Sequence, residues 1–385
     1  MDFSVATLGE LSLGDGKYGI AASAVDYDAE LPAYLRITDI NDDGTLNWND
    51  RKSVDDPAAY KYMLREGDIV FARTGNSTGK NYYYDSRDGE FAFAGFLIRF
   101  SLDDKKVNPR YVKYYAQSKA YWDWVASFNT GSTRGNINAK TYAQMPIPLP
   151  DRPTQDSIVM LCDSVSNKIR LNAKLNGYLE EQCEAVANRE KGLAVELSSL
   201  CDLVKEKADY NEANFDTYVS TESLLPGKKG RQAPSSLPQT GKVTVYKDGD
   251  ILVSNIRPYF KKIWYADRTG TCSGDVLVFR AKQPEQSGYL YSCMRSDAFF
   301  DYIMKGAKGT KMPRGDKKQM LTYKVASNPS GATVDFIESA LSQASSSSKE
   351  KHRLAALRDV LLPKLMSGEI DVSKVDLKQL NSHLA

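Results

Sequence analysis

Gly67-Asp68-Ile69-Val70 and Gly249-Asp250-Ile251-Leu252 are one phrase written twice, a turn running into an apolar strand, at an offset of 182 residues. Earlier in the chain, Val5-Ala6-Thr7-Leu8-Gly9-Glu10-Leu11 resembles Leu197-Ser198-Ser199-Leu200-Cys201-Asp202-Leu203 at an offset of 192. Later, Gly131-Ser132-Thr133-Arg134-Gly135 is echoed by Gly309-Thr310-Lys311-Met312-Pro313-Arg314-Gly315 at 178. The offset shrinks along the chain, as it does when two copies of one domain differ by loop deletions. A tandem repeat is therefore expected, with domains at 1–150 and 193–330, each followed by a helical segment, 151–192 and 331–385.

The domains read as α/β. In the first, Arg65 to Ala72 and Phe91 to Phe100 are predicted strands, answered by Ile251 to Ser254 and Asp275 to Phe279. A Tyr-rich helix is predicted from Asn108-Pro109 to about Ser127, matched by Gly288 to Met304. After Pro146-Ile147-Pro148-Leu149-Pro150, a heptad seam begins: Ile158, Cys162, Val165, Ile169, Asn172, Asn176, Leu179, Cys183, Val186. The 178 offset maps it onto Phe336, Ala340, Gln343, Ser347, Glu350, Leu354, Leu357, Leu361 and Lys364. Both seams are apolar at the ends and polar in the middle, and each helix is a rod of about 50 Å. Two such helices at equivalent places in a repeat are expected to pack on each other through Ile158, Val165, Ile169, Leu179, Phe336, Leu354, Leu357 and Leu361. Their polar middles either fix register or are merely solvated. The run Gln343-Ala344-Ser345-Ser346-Ser347-Ser348 weakens the second helix locally.

Composition removes most enzyme classes. The chain of 385 residues has two His, both near its C-terminal end, so a His-based triad, a His-ligated zinc or a His general base is not expected. Its five Cys are odd in number and form no C-x-x-C, which points to reduced thiols and not to a disulfide framework or a zinc ribbon. There is no Pro-Pro pair. Gly75-Asn76-Ser77-Thr78-Gly79-Lys80-Asn81 superficially resembles a phosphate loop but has three residues between its glycines and Asn after the Lys. No catalytic site and no metal site is expected. The opening Met1-Asp2-Phe3-Ser4-Val5 carries no basic-then-apolar leader, and no stretch approaches the roughly 18 apolar residues of a membrane span, so a cytoplasmic chain without membrane contact is expected.

A net charge of +2 excludes a uniformly basic nucleic-acid coat, so any such role must be local. Residues 1–150 carry 17 basic and 20 acidic groups, whereas 191–330 carry 22 and 15. Ser254-Asn255-Ile256-Arg257-Pro258-Tyr259-Phe260-Lys261-Lys262 interleaves cations with aromatics, and Lys305 to Lys318 holds six basic residues against one acid. Arginine can grip guanine through two hydrogen bonds while lysine neutralises phosphate. The candidate DNA contacts are Thr74, Asn76, Ser77, Lys80 and Arg134 in the first copy. In the second they are Arg257, Tyr259, Lys261, Lys262, Lys311, Arg314, Lys317 and Lys318. For the Gly75 loop the alternative is a plain turn using glycine to reach positive φ, and for the Arg257 loop an exposed basic turn.

These residues resemble a known family, the specificity subunits of type I restriction-modification systems. The resemblance is carried by Leu361-Leu362-Pro363-Lys364-Leu365-Met366-Ser367-Gly368-Glu369-Ile370, by Gly249 through Tyr259, by Pro146 to Pro150, and by Lys168-Ile169-Arg170-Leu171-Asn172 with Leu179-Glu180. It spans essentially the whole chain in the order target-recognition domain, helix, target-recognition domain, helix. The resemblance implies an α/β fold with two repeated target-recognition domains and two long helices packed as an antiparallel coiled coil, whose length sets the spacing of the domains. It implies a non-catalytic DNA reader in which each domain reads one half of a split, non-palindromic target. Two DNA methyltransferase subunits would dock on it and a restriction and translocation subunit could join. S-adenosylmethionine, ATP and Mg would then sit on those partners. The first helix departs from the pattern by continuing as Ala185-Val186-Ala187-Asn188-Arg189-Glu190. Two other readings share parts of this pattern: the fused specificity protein of a two-component cutting and methylating enzyme, and a coiled-coil adaptor with no DNA role.

Overall fold

A computed structural model describes residues 3–47, 50–128 and 135–372. The chain divides into two compact units, one comprising the described residues up to Ile169 with those from His352 onward, the other Arg170 to Lys351. The division cuts both long helices, so each unit owns one domain and a stretch of each helix.

The duplicated phrase forms the same element in each unit. Gly67 and Gly249 take φ of +87° and +81°, a turn that a residue with a Cβ enters only with strain. The next residue, Asp68 or Asp250, is buried, and its carboxylate accepts the backbone N–H of Arg65 (2.9 Å) or Lys247 (2.7 Å). Each carboxylate also meets an arginine on the neighbouring strand, Arg99 at 3.6 Å and Arg280 at 2.7 Å. Such a charge tolerates burial because its lone pairs are occupied.

In the first unit Asp68–Ala72 lies between Leu97–Ser101 and Asn81–Tyr83, with Lys17–Tyr18 outermost on the Leu97–Ser101 side. In the second, Ile251–Ser254 lies between Val276–Ala281 and Ile263–Tyr265, with Cys201–Leu203 outermost. These central strands are wholly buried, which explains their unbroken apolar runs. A further sheet completes each unit: four strands in the first, including the parallel pair Ala33–Leu35 and Phe91–Phe93, and three in the second. Both domains are closed by a two-stranded antiparallel ribbon, Ser4–Thr7 with Pro146–Leu149 and Ala194–Glu196 with Lys324–Ala326.

Each predicted Tyr-rich helix is broken in two: Pro109–Tyr115 then Lys119–Ala126, and Ser287–Met294 then Asp297–Lys305. The break falls at Ser118 and at Ser296, whose side chains cap the second piece by accepting the N–H of Tyr121 and of Phe299. The buried tyrosines are tyrosines because their hydroxyls have partners: Tyr111 donates to the Pro148 carbonyl (2.7 Å) and Tyr289 to the Ala326 carbonyl (2.9 Å). Both hydrogen bonds tie a domain helix to the closing ribbon, and they repeat at the 178 offset.

The long helices span Arg152–Ala187 and Gly331–Met366, 36 residues each, and the serine run does not interrupt the second. In the first unit Ile158, Cys162 and Val165 are buried, and Ile158 and Cys162 share a core with Leu362, Leu365 and Met366. In the second unit Cys183 and Ala187 share a core with Ile337, Ala340 and Leu341. Asn172 donates to Glu350 (2.7 Å) and Asn176 to Ser348 (2.8 Å), so the helices run antiparallel there and their polar middle is paired across the seam. Ile169, Leu179 and Leu361 are half-buried, and Leu354 is buried.

Two expected seam residues are corrected. Phe336 is 43% and Leu357 45% exposed. The buried stripe instead runs through Ile337, Ala340, Ala344, Ser347 and Leu354. It keeps Ala340, Ser347 and Leu354 but reverses the order of the three- and four-residue steps. The reason lies at Gly288, where an added Cβ would come within 3.1 Å of both Ile337 and Leu341. The missing side chain admits Ile337 to the domain and turns Phe336 outward. Among the described residues no helix is long and apolar enough to cross a membrane.

Candidate nucleic-acid interface

In both units the loop leaving the central strand is pinned by a second segment from far along the chain. In the first, Thr74 forms a β-bridge with Asn136 and the Ile137 N–H donates to the Arg73 carbonyl at 2.9 Å. In the second, Ile256 bridges Arg314 and the Gly315 N–H donates to the Asn255 carbonyl at 3.1 Å. The loops correspond at 182 and the pinning segments at 178, so Asn136 is the counterpart of Arg314 in the first copy. Sequence analysis does not single out Asn136, and only the register of the repeat points to it. Arg134 lies outside the described residues.

Within the first loop, Gly75–Ser77 is a single tight turn, and the Thr78 hydroxyl donates at 2.8 Å to the carbonyls of Gly75 or Gly135. Asn76 is exposed, while Thr74 and Ser77 are half-buried. Lys80 is ion-paired with Asp42 at 3.0 Å, and Arg73 lies over the Tyr18 ring, 5.0 Å from its centroid. This loop therefore offers polar groups and little free positive charge, in keeping with the acidic balance of its domain.

The second loop differs. Arg257 is exposed and has no ion-pair partner among the described residues, and the same holds for Lys311, Lys317 and Lys318. Four neighbouring cations are engaged. Arg314 meets Asp275 (3.2 Å), Lys308 meets Asp316 (3.2 Å) and Lys261 meets Asp297 (3.0 Å). Lys262 donates to the Thr221 carbonyl at 2.7 Å, and burial lowers the proton affinity of its ammonium. Asp316 caps the short helix Lys317–Leu321 by accepting the N–H groups of Lys318 and Gln319. Those backbone bonds, with Lys308 beside them, hold its carboxyl below the usual carboxylate range. Its two lysine neighbours project from the exposed first turn. Tyr259, 47% exposed, stands at the tip of the Arg257–Lys262 loop.

Among the described residues no cluster of three or more His, Cys, Asp or Glu could hold a metal. All five cysteines are buried and free, and burial pushes their thiols up to about 11 for Cys183 and about 12 for Cys162, Cys201, Cys272 and Cys293. None is a thiolate nucleophile at neutral pH. The geometry presents hydrogen-bond donors and positive charge on loops fixed to rigid strands, an arrangement that could receive a polyanion.

Residues 33–181 match the model of the type I restriction modification DNA specificity domain. The fold is similar to the crystal structure of the type I restriction-modification S subunit from M. genitalium, at 15% identity over 95% of this chain and 96% of that one, with a TM-score of 0.53. A second likeness is to the HsdS subunit from Thermoanaerobacter tengcongensis, at 15% identity over 96% and 97%, with a TM-score of 0.35. No curated protein matches the sequence.

Proposed function

We propose that this chain is a type I restriction-modification specificity subunit that reads a split, non-palindromic DNA target with one half for each domain. The observation that carries the reading is the pinned strand-loop-strand element built twice on the same scaffold with different side chains, Thr74 to Asn136 in one copy and Ile256 to Arg314 in the other. A common scaffold with different tips is what two different half-sites require. The chain itself holds no catalyst in this reading. DNA methyltransferase subunits dock on it, a restriction and translocation subunit joins them, and S-adenosylmethionine, ATP and Mg bind those cytoplasmic partners.

Docking is supported by an outward stripe on the first long helix, where Leu171, Leu175 and Tyr178 are 57%, 40% and 59% exposed at helical spacing. Leu171→Asp with Leu175→Asp is expected to abolish co-purification with the methyltransferase while leaving the circular dichroism unchanged, since both side chains are already exposed. Undiminished co-purification of the double variant would move the docking face elsewhere.

DNA reading is tested by salt. Replacing Lys311, Arg314, Lys317 and Lys318 by Ala in the assembled complex should flatten the plot of log affinity against log salt by about 0.9 for each phosphate that is no longer neutralised. The three unpaired lysines should account for most of the change. Arg314→Ala alone should change little, because Asp275 already holds that guanidinium. An unchanged slope in the fourfold variant relegates the whole segment to solvent.

A further inference from the structure

Four non-glycine residues have left-handed backbones among the described residues, and three of them, Lys228 (φ 63°), Arg257 (φ 50°) and Lys261 (φ 51°), sit on two adjoining segments of the second unit. Side-chain-bearing residues persist in that region only where their surroundings over-determine them, and such strain gathers at functional loops. Here the surroundings do so. The Gly227 and Lys228 N–H groups donate to the carbonyls of Phe260 (2.8 Å) and Lys261 (2.9 Å), and the Arg257 N–H donates to Pro313 (2.8 Å). Asp297 receives the ammonium groups of Lys228 (2.9 Å) and Lys261 (3.0 Å), and Lys228 also reaches Glu184 at 3.2 Å. Lys262 is tied to the Thr221 carbonyl at 2.7 Å.

What this scaffold holds out is apolar. Tyr259 and Phe260 are 47% and 38% exposed, with ring centroids 4.7 Å apart and planes inclined by 53°. Met312, 47% exposed, is next to the Pro313 that bonds Arg257. Burying large apolar side chains is favourable, so a rigid tip that displays them calls for an occupant. The unpaired cations Arg257 and Lys311 on the same two segments identify that occupant as a polyanion with apolar faces to offer.

Resting on the DNA-reading function proposed above, we infer that Tyr259 and Phe260 form a preorganised aromatic wedge that stacks into a base step of duplex DNA at the second half-site. Wedges of this kind partly unstack a step and kink the duplex, and rigidity of the loop reduces what must be ordered on binding. The flanking cations would contact the adjacent phosphates.

The test uses the complex with its methyltransferase subunits and a duplex carrying the target mapped by methylation sequencing, with 2-aminopurine placed at each purine of the second half-site and its flanks in turn. The expected result is a fluorescence rise at one step that is lost in Tyr259→Ala/Phe260→Ala. That variant should bind roughly 10- to 100-fold more weakly, with the salt slope unchanged because both substituted side chains are uncharged. If the double variant does not fold, Tyr259→Ser alone, at a position already half-exposed, should show the same changes at smaller size. Tight binding with flat fluorescence at every step, or unaltered affinity in the variants, overturns the wedge and leaves DNA reading standing. A complex that fails to bind the duplex overturns both.

Discussion

Arg295→Met is expected to remove about 3 kcal/mol of stability from the second unit at neutral pH, and clearly less at pH 5. Arg295 is 5% exposed and bridges two carboxylates of the first long helix, Glu184 at 2.9 Å and Glu180 at 3.2 Å. Methionine keeps the apolar stem but leaves the half-buried Glu180 with the Tyr291 hydroxyl (3.3 Å) as its remaining hydrogen-bond partner. Burial already raises the Glu180 carboxyl above its ordinary value, against the pull of Arg295. A carboxyl raised in the folded state holds its proton more tightly folded than unfolded, so it lowers stability as pH climbs from the ordinary carboxylate value through the raised one. Removing Arg295 lifts that value further and widens the window. At pH 5 a larger share of Glu180 is neutral and the missing partner costs less. Hydrogen exchange across Ile251–Ser254, at both pH values, measures the effect where the unit's core strand is. Equal losses at the two pH values would mean that packing, and not charge, is what Arg295 supplies. Arg295→Lys should fall between, since one ammonium cannot reproduce a two-pronged bridge.

Features that the two copies share were legible in the sequence; features that depend on how each copy packs were not. Gly67 and Gly249 announce a left-handed turn wherever they occur, and the strand that follows is apolar on both faces. The offsets of 182 and 178 carry over to hydrogen bonds that no motif states, such as Tyr111 to Pro148 and Tyr289 to Ala326, or the caps Ser118 and Ser296. The same transfer failed at Phe336. A heptad pattern defines a stripe only to within one position, and the choice between Phe336 and Ile337 is made by Gly288, a residue of another element.

Charge counting met a similar limit. Six cations against one acid between Lys305 and Lys318 is a statement about sequence, yet Arg314 finds Asp275 well outside that window. Lys80, a candidate phosphate ligand by sequence, is held by Asp42, and Lys261 by Asp297. Of the candidate cations among the described residues, Arg257, Lys311, Lys317 and Lys318 remain without an ion pair or a side-chain hydrogen bond, a subset that only three-dimensional pairing selects.

Exchanging residues 1–150 for the equivalent domain of a relative with a different target should replace one half of the methylated sequence and leave the other half as it was. The cut is placed where the closing ribbon keeps both strands in the graft, Ser4–Thr7 with Pro146–Leu149, just ahead of the long helix that starts at Arg152. The graft must still satisfy what it meets on that helix. Tyr114 donates to Asp163 at 2.6 Å, and Asn108 donates to Asp156 at 2.7 Å. A donor domain lacking these partners would leave the Asp163 carboxylate without its hydroxyl, at a cost of about 1–3 kcal/mol. Choosing a relative with Tyr and Asn at those places separates a specificity change from a folding defect. Each wrong base pair costs about 1–3 kcal/mol, so a half-site differing at three positions shifts preference by roughly two to six orders of magnitude. That is enough for sequencing of methylated bases to show one half exchanged completely. The second unit contributes its own loops, pinned by its own segments from Ile256 to Arg314, and nothing in the graft alters them. If both halves change while the chimaera stays folded and assembled, the domains are not independent readers, and specificity must arise from a surface they build together.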